Sequence, residues 1–276
     1  MNAAISYTRT LRADGKYDVK PTNPPFNDLE DAGEKMASQL ISCYGDRLKG
    51  AVVIGCVRGG LPGARIIAER IKEYLQAKGF GEHEFPLLDM VIIRKFDLPE
   101  DVLKRPGLSI GALTETGQVQ YLESFAKDRQ IDLCSPNIKP QLDEKIQVQR
   151  EELARRIALY RQGKAPLSLE GKLAIFFDDG MANGTTMKAA LGSRTIEQGN
   201  VIVAVPVCSQ VGLDRLINEA GMQKANICFL ERIPLQKTDY WDCSDFYTTI
   251  RDVNDDEVLA IMGTAKPPNI PLRSSL

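Results

Sequence analysis

The sequence predicts an α/β fold, Rossmann-like, with a mostly parallel β-sheet and helices on both of its faces. Short apolar runs rich in β-branched residues alternate along the chain with longer segments of helical periodicity, an order typical of parallel sheets. The 276 residues, 43% hydrophobic and 26% charged, are also enough to bury a core without disulfide or metal staples. Ligands of such folds bind where strands end and loops begin, so we expect the functional site there.

An amino-terminal helix is predicted at residues 27–48, directly after a Pro-Pro pair. After it come five short apolar runs bounded by turn residues, which predict strands at 51–55, 87–93, 173–177, 201–207 and 226–230. Periodic segments predict helices at 64–78, 141–162, 186–198 and 212–220. Because no linker-like change of composition follows residue 50, we predict one main domain at 50–262, an N-terminal helical extension at 1–49 and a C-terminal tail at 263–276.

The segment after the second strand interrupts the alternation of strands and helices. Residues 96–107 are charged and carry two prolines, which is typical of a mobile loop. Runs at 108–113 and 118–122, separated by Thr-Glu-Thr-Gly, predict a hairpin. The helix that follows has alternating charges, which favour a solvated face for its arginines: Arg150, Arg155, Arg156 and Arg161.

Charge and cysteine content argue against several classes of function. The formal net charge of −2 offers no broad basic surface, so we expect neither nucleic acid nor a membrane as a partner. Six widely spaced cysteines, without zinc-ligand spacing, favour reduced thiols and a cytoplasmic location. No apolar run has the length of a signal peptide or a membrane span. The single histidine, His83, lies in a polar turn, so histidine-assisted nucleophilic hydrolysis has no support.

One stretch, FFDDGMANGTTM at 176–187, carries most of the functional signal. Two carboxylates, Asp178 and Asp179, follow a predicted strand and precede a loop with two glycines and two threonines that opens a helix. Glycines let main-chain amides approach a ligand closely, and the amides at a helix N-terminus favour phosphate. Carboxylates accept hydrogen bonds from sugar hydroxyls and hold magnesium through water. The alternative, a plain helix cap and turn, leaves the second carboxylate and the threonine pair unexplained.

This stretch resembles the signature of the type I phosphoribosyltransferases, whose loop typically reads DDxxATGxT. The resemblance implies the fold of that family, with a flexible hairpin loop and a C-terminal hood. It also implies that Asp178 and Asp179 bind the ribose hydroxyls of phosphoribosyl pyrophosphate (PRPP), and that the loop binds its 5-phosphate through Gly180, Met181, Ala182, Asn183, Gly184, Thr185 and Thr186. Asn183 departs from the threonine of the pattern. Ala182 stands where the 6-oxopurine enzymes usually carry an aspartate, so hypoxanthine and guanine are not favoured as acceptors.

Three further segments are similar to the same family, and the second and third of them are similar to a little-characterised bacterial subgroup of it. Residues 50–71 resemble the family's first strand and pyrophosphate loop, which assigns Arg58, Gly59 and Gly60 to the leaving pyrophosphate; glycines free the amides, and the planar guanidinium of arginine binds phosphate through two hydrogen bonds. Residues 88–113 resemble the strand and catalytic loop, which makes Arg94 and Lys95 its cationic tip and, with Asp179, the catalytic set. Residues 240–258 resemble the hood, where Trp241, Phe246 and Tyr247 either stack on a base or belong to the core.

The resemblance implies transfer of a phosphoribosyl group from PRPP to a nitrogenous base, with release of pyrophosphate. Mg²⁺ would be bound mainly through PRPP, with Asp178 and Asp179 as its protein ligands, and we expect a homodimer. The acceptor stays open. So do two other functions: a regulatory protein that senses PRPP or nucleotides on the same fold, and a plain nucleotide or sugar-phosphate binder that needs only the loop at 178–186.

Overall fold

The computed structural model of the chain describes residues 7–11, 17–98, 109–128, 130–196, 200–233 and 242–263. The strands, in chain order, are β1 Tyr7–Leu11, β2 Tyr17–Pro21, β3 Val52–Val57, β4 Leu87–Ile92, β5 Arg94–Asp97, β6 Ser109–Leu113, β7 Val119–Tyr121, β8 Ala174–Phe177, β9 Val201–Ser209 and β10 Ile227–Ile233. The helices are α1 Leu29–Tyr44, α2 Gly60–Ala77, α3 Glu123–Asp128, α4 Lys139–Arg161, α5 Thr185–Gly192, α6 Gln210–Glu219 and α7 Asp255–Ile261. In these ranges no helix is long and apolar enough to cross a membrane.

Five parallel strands form the central sheet in the order β10-β9-β8-β3-β4. Alternate residues of β8 point to opposite faces: Ile175 packs with α1 and α2, whereas Phe176 packs with α5 and α6. Every residue of β3, β8 and β9 is buried, because helices cover the sheet on both sides. The predicted α/β class, with a parallel sheet between two helical layers, is confirmed.

A second sheet is antiparallel and has the order β5-β6-β7. The hairpin predicted from residues 108–122 corresponds to β6 and β7. The third strand of this sheet, β5, was not predicted from the sequence. Its four residues, Arg-Lys-Phe-Asp, include three charged ones and therefore form no apolar run. Most of the predicted mobile loop, residues 99–107, lies outside the described residues.

The amino-terminal region differs from a purely helical extension. Strands β1 and β2 pair there as an antiparallel ribbon, and α1 packs closely against α2 through two glycines. A Cβ placed on Gly33 would lie 2.8 Å from Gly63 Cα. Buried Met36 and Leu40 of α1 join the core of the parallel sheet. The predicted boundaries at residues 49 and 262 stay predictions, but α1 is part of the packed body.

The arginines of α4 do not all lie on a solvated face, so that prediction is wrong for two of them. Arg156 and Arg161 are 8% and 6% exposed. Arg161 forms ion pairs with Asp89 at 2.6 Å and Glu115 at 2.5 Å, and Arg194 joins Asp89 at 3.0 Å. Burial of these charges is tolerated because each cation meets a carboxylate. Alternating charge along a helix therefore did not reveal which arginines face inward.

Candidate functional site

Two loops of the central sheet meet at the carboxyl ends of adjacent strands. Asp178 and Asp179 follow β8, and Gly59 and Gly60 follow β3. A Cβ on Gly59 would lie 2.4 Å from Asp179 Oδ2, and one on Gly60 would lie 2.7 Å from the carbonyl oxygen of Phe177. Only glycine allows this approach. The predicted pyrophosphate loop and the predicted acidic pair are therefore in direct contact.

The peptide bond that precedes this turn, between Val57 and Arg58, is cis. The turn then runs straight into α2, which begins at Gly60, four residues before its predicted start. Arg58 lies at the rim of the site, with its side chain 32% exposed.

The acidic pair keeps part of its surface open to solvent but is crowded by protein. Burial, and then repulsion by Asp179, raises the pKa of Asp178 well above its ordinary value, while Lys95 acts in the opposite direction. Burial also raises the pKa of Asp179, again opposed by Lys95. Two adjacent carboxylates with raised pKa values favour a cation or hydroxyl donors between them.

Arg94 and Lys95 were predicted as one cationic tip, and the structure separates them. Adjacent strand residues point to opposite faces, so Lys95 acts on the acidic pair whereas Arg94 turns toward α4. There Arg94 Nε donates to Gln149 Oε1 at 2.9 Å. Lys95 is exposed and Arg94 is partly buried. The two cations accordingly serve different parts of the site.

The loop that opens α5 is fixed to the end of β9 by main-chain hydrogen bonds. Met181 N donates to Val207 O at 2.9 Å, and Ser209 N donates to Met181 O at 3.0 Å. Gly184 has φ +81°, a left-handed conformation that favours glycine. Ala182 is exposed at the surface of the loop, whereas Gly184 is buried. The first part of the loop is thus anchored to β9 through Met181, and its last part turns at Gly184 into α5.

Asn183 uses its side chain within the protein. Its Nδ2 donates to the carbonyl oxygen of Ser109 at 3.1 Å, and its Oδ1 accepts from Thr185 N at 3.1 Å and from Thr185 Oγ1 at 2.7 Å. Thr185 is 3% exposed, whereas Thr186 is partly exposed. Asn183 and Thr186 are both partly exposed, but the amide of Asn183 already bonds Ser109 and Thr185, so Asn183 and Thr185 shape the loop.

The aromatic residues after β10 form core contacts in this structure. Phe246 is fully buried against Tyr7, and Tyr247 is 5% exposed against Phe26. The alternative that these two residues belong to the core is therefore the correct one, because the buried rings leave no open face on which a base could stack. Trp241, the third predicted lid residue, lies outside the described residues.

The same segment nevertheless touches the acidic loop. Tyr247 Oη donates to the carbonyl oxygen of Asp179 at 2.6 Å. A Cβ on Gly180 would lie 2.6 Å from Cys243 Sγ, and burial raises the pKa of that thiol well above its ordinary value. Sequence reasoning assigned Cys243 no role and Tyr247 a different one, because nothing local places them beside a loop more than sixty residues earlier.

Arg58 contacts the start of α7. Its Nη1 lies 3.6 Å from Asp255 Oδ1, and Asp255 is also bound by Arg155 at 2.9 Å and by the hydroxyl of Tyr160. Asp255 is the first residue of α7, and its partners come from segments distant in the sequence. Helices α4 and α7 therefore close one side of the site.

Fold and site together define the class. The chain is an α/β protein similar to the type I phosphoribosyltransferases, with the parallel sheet of that fold and an acidic pair ahead of its glycine-containing loop.

Comparison with known proteins agrees with this class. Two curated proteins of Mycobacterium tuberculosis, named "Putative phosphoribosyl transferase MT0597" and "Putative phosphoribosyl transferase Rv0571c", are each 28% identical over 242 residues, or 87% of this chain. That alignment covers 47% of each relative, so the chain spans about half the length of the curated relatives it matches. The crystal structure of TT1426 from Thermus thermophilus superposes with a TM-score of 0.55 at 26% identity, covering 86% of this chain and 97% of that one. No family model matches the chain.

Proposed function

We propose that the chain is a phosphoribosyltransferase that moves the 5-phosphoribosyl group of PRPP to a nitrogenous base or related acceptor and releases pyrophosphate. The observation that carries this proposal is the direct contact between the Gly59-Gly60 turn and the Asp178-Asp179 pair. PRPP has a diphosphate on one side of its ribose and a phosphate on the other. A site for PRPP therefore needs a diphosphate-binding turn beside the groups that bind the ribose. The phosphate loop at 180–186 follows the acidic pair without interruption.

Each part of the site has a chemical task in this reaction. Asp178 and Asp179 accept hydrogen bonds from the two ribose hydroxyls, because ionised carboxylates are acceptors only. The main-chain amides at the start of α5 and the hydroxyl of Thr186 receive the 5-phosphate. Arg58, with the amides of Gly59 and Gly60, holds the leaving pyrophosphate.

Magnesium suits the acidic pair. Mg²⁺ prefers oxygen ligands and keeps several waters, so it is bound through one or two carboxylates plus substrate phosphates. Within the described ranges no group of three histidine, cysteine or acidic side chains could hold a metal by itself. Asp178 and Asp179 would hold the ion together with PRPP. When bound, the ion neutralises charge on the pyrophosphate.

Catalysis would be mainly electrostatic. The bond at the anomeric carbon breaks as pyrophosphate leaves, and a nitrogen of the acceptor takes its place through an oxocarbenium-like transition state. Cations beside the leaving group stabilise the charge that develops on it. The charge of Lys95 lowers the pKa of both aspartates, which supports this role for Lys95. We further propose a homodimer in the cytoplasm.

Calorimetric titration with PRPP and Mg²⁺ tests the donor site. We expect Asp178→Asn and Asp179→Asn to weaken PRPP binding about 10- to 100-fold, because a charge-assisted hydrogen bond contributes about 1.5–3 kcal/mol. Asp46→Asn, an exposed aspartate in a different loop, serves as the control and should bind PRPP like the wild type. Unchanged affinity in both site variants would show that the assignment is wrong.

The reaction itself is tested by pyrophosphate release from PRPP in the presence of a panel of bases. We expect release with one acceptor class and none without an acceptor. If PRPP binds tightly and no base in a broad panel supports pyrophosphate release, the chain is better explained as a regulatory protein that senses PRPP than as an enzyme.

A further inference from the structure

One face of α4 is directed at the site, although sequence reasoning assigned it no role in binding. Glu152, Arg156 and Tyr160 are spaced four residues apart, so they lie above one another on the helix, and Gln149 begins the same row. Arg156 Nε donates to Glu152 Oε1 at 2.6 Å. Gln149 binds Arg94 of β5, and Tyr160 binds Asp255 of α7. This face thus joins the strand and the helix that flank the pyrophosphate turn.

Three guanidinium groups converge beside that face. Arg94 binds Gln149 and Arg156 binds Glu152 on this face, while Arg58 Nη1 lies 3.6 Å from Asp255 Oδ1, and Asp255 also binds Tyr160 of the same row. Burial, and then the charges of Arg156 and Arg58, lower the pKa of Arg94. Tyr160 lies near Arg156 and Arg58 as well. The three cations come from α4, from β5 and from the turn after β3, which are far apart in the sequence.

Positive charge is in excess at this place. Within the part of the chain that the structure describes, the cluster has four cations, Arg58, Arg94, Arg155 and Arg156, and two carboxylates, Glu152 and Asp255. Holding like charges together without neutralising them is unfavourable unless an anion binds between them.

Two of these arginines have guanidinium nitrogens that bind no other described residue. The terminal nitrogens of Arg94 and Arg156 have no hydrogen-bond partners among the described residues, since each side chain hydrogen bonds through Nε. Arg94 is partly exposed, and the side chain of Arg156 is 9% exposed. Arg156 is therefore a largely buried cation whose two terminal nitrogens bind none of the described residues.

We propose that Arg156 and Arg94 join Arg58 in a diphosphate-binding subsite, in which α4 supplies Arg156 as a cation beyond those assigned from the sequence. Diphosphate is the chemical class that fits, because its several oxygens can engage three planar forks at once. The subsite adjoins Gly59, which contacts Asp179. Its identification with the leaving pyrophosphate rests on the proposed function.

The test uses inorganic pyrophosphate and ribose 5-phosphate as separate probes, each titrated into the full chain with Mg²⁺ by calorimetry. We expect Arg156→Gln to weaken pyrophosphate binding about tenfold or more and to leave ribose 5-phosphate binding unchanged. Arg156→Lys keeps the positive charge but loses the planar guanidinium. Its affinity for pyrophosphate should lie between those of the wild type and Arg156→Gln. Arg150→Gln is the matched control, because Arg150 lies exposed on the same helix and binds the carbonyl oxygen of Gly117.

Thermal unfolding of each variant separates binding from folding. If Arg156→Gln does not fold, Arg94→Gln tests the same subsite from β5. Unchanged pyrophosphate affinity in the folded variants overturns the subsite, and so does an equal loss for both probes, which would indicate a purely structural role. Wild-type protein that binds pyrophosphate but neither PRPP nor ribose 5-phosphate would support the subsite and refute the proposed function.

Discussion

At the scale of single residues, the proposed chemistry depends on the acidic pair and its contacts. Asp178 and Asp179 sit side by side, and crowding by the glycine turn removes water that would otherwise screen them. The carbonyl oxygen of Asp179 is held by Tyr247. The two adjacent carboxylates repel each other, and a cation bound between them would reduce this repulsion.

Because the folded-state pKa of Asp178 is raised, stability without ligand should depend on pH. Above the ordinary aspartate value of about 3.9, the folded protein binds more protons at this carboxyl than the unfolded chain does. The free energy of unfolding should therefore fall as pH rises through this window. We expect Asp178→Asn to unfold a few degrees higher than the wild type at pH 7 in EDTA, with the difference shrinking toward pH 4. A variant that is less stable at pH 7 would contradict this account.

Tyr247→Phe removes one hydrogen bond and little volume. The carbonyl oxygen of Asp179 then loses its donor in a buried place, which costs about 1–3 kcal/mol. We expect a lower free energy of unfolding in urea together with weaker PRPP binding, because the acidic loop loses its anchor. Tyr74→Phe is the control: its hydroxyl binds Asp46 at the surface, and its loss should cost less than about 1 kcal/mol. Equal effects of the two variants would show that Tyr247 has no special role.

At the scale of elements, the site depends on which strands and helices are neighbours. Strands β3 and β8 pair in parallel, so the turn after one meets the loop after the other. Strand β5 directs Lys95 and Arg94 to opposite sides. Helix α2, which begins in the Gly59-Gly60 turn, is positioned by its close packing on α1.

Gly33→Ala tests that helix packing. Alanine is the better helix former by about 1 kcal/mol, but its Cβ would lie 2.8 Å from backbone atoms of Gly63. We expect the steric effect to win, with a net loss of about 1–3 kcal/mol in urea unfolding. Ser38→Ala, at an exposed position of the same helix, should change stability by less than about 0.5 kcal/mol. If Gly33→Ala were more stable than the wild type, α1 and α2 would be able to move apart slightly at little cost in free energy.

At the scale of the whole molecule, a buried ionic cluster ties α4 to the edge of the sheet. Arg161 and Arg194 meet Asp89 and Glu115, all with side chains less than 10% exposed. Arg161 also donates to the carbonyl oxygen of Met90 on β4. The cluster fixes the carboxyl end of the helix that carries Arg156, so it sets the position of the proposed diphosphate subsite.

Arg161→Leu should destabilise the whole chain strongly. Removing one cation leaves Asp89 and Glu115 buried with Arg194 alone, and breaking a buried pair in this way costs about 3–5 kcal/mol. The exposed Arg70, which pairs with Glu34, provides the comparison, and Arg70→Leu should cost at most about 1 kcal/mol. Denaturant unfolding of both variants measures the difference. Similar losses would mean that water reaches the Arg161 cluster.

The sequence by itself determined the features that depend on neighbours along the chain. Apolar runs predicted all five strands of the parallel sheet, and the order of carboxylates, glycines and threonines predicted a loop between β8 and α5. These signals are local, because strand burial and loop geometry follow from the residues of the segment itself. The α/β fold class followed from them, whereas the class of protein was suggested by the resemblance of residues 176–187 to a known family.

Only the tertiary structure decided which side chains meet across the site. In the folded chain Arg94 contacts α4 while Lys95 faces the acidic pair, and Arg156 is buried. Asp255 lies beside Arg58, and Tyr247 binds the acidic loop. Each of these contacts joins elements distant in the sequence, and their formation depends on how helices pack on the sheet rather than on any local pattern. For the same reason the sequence left open whether Phe246 and Tyr247 stack on a base or belong to the core: their burial depends on Tyr7 and Phe26, which lie near the opposite end of the chain.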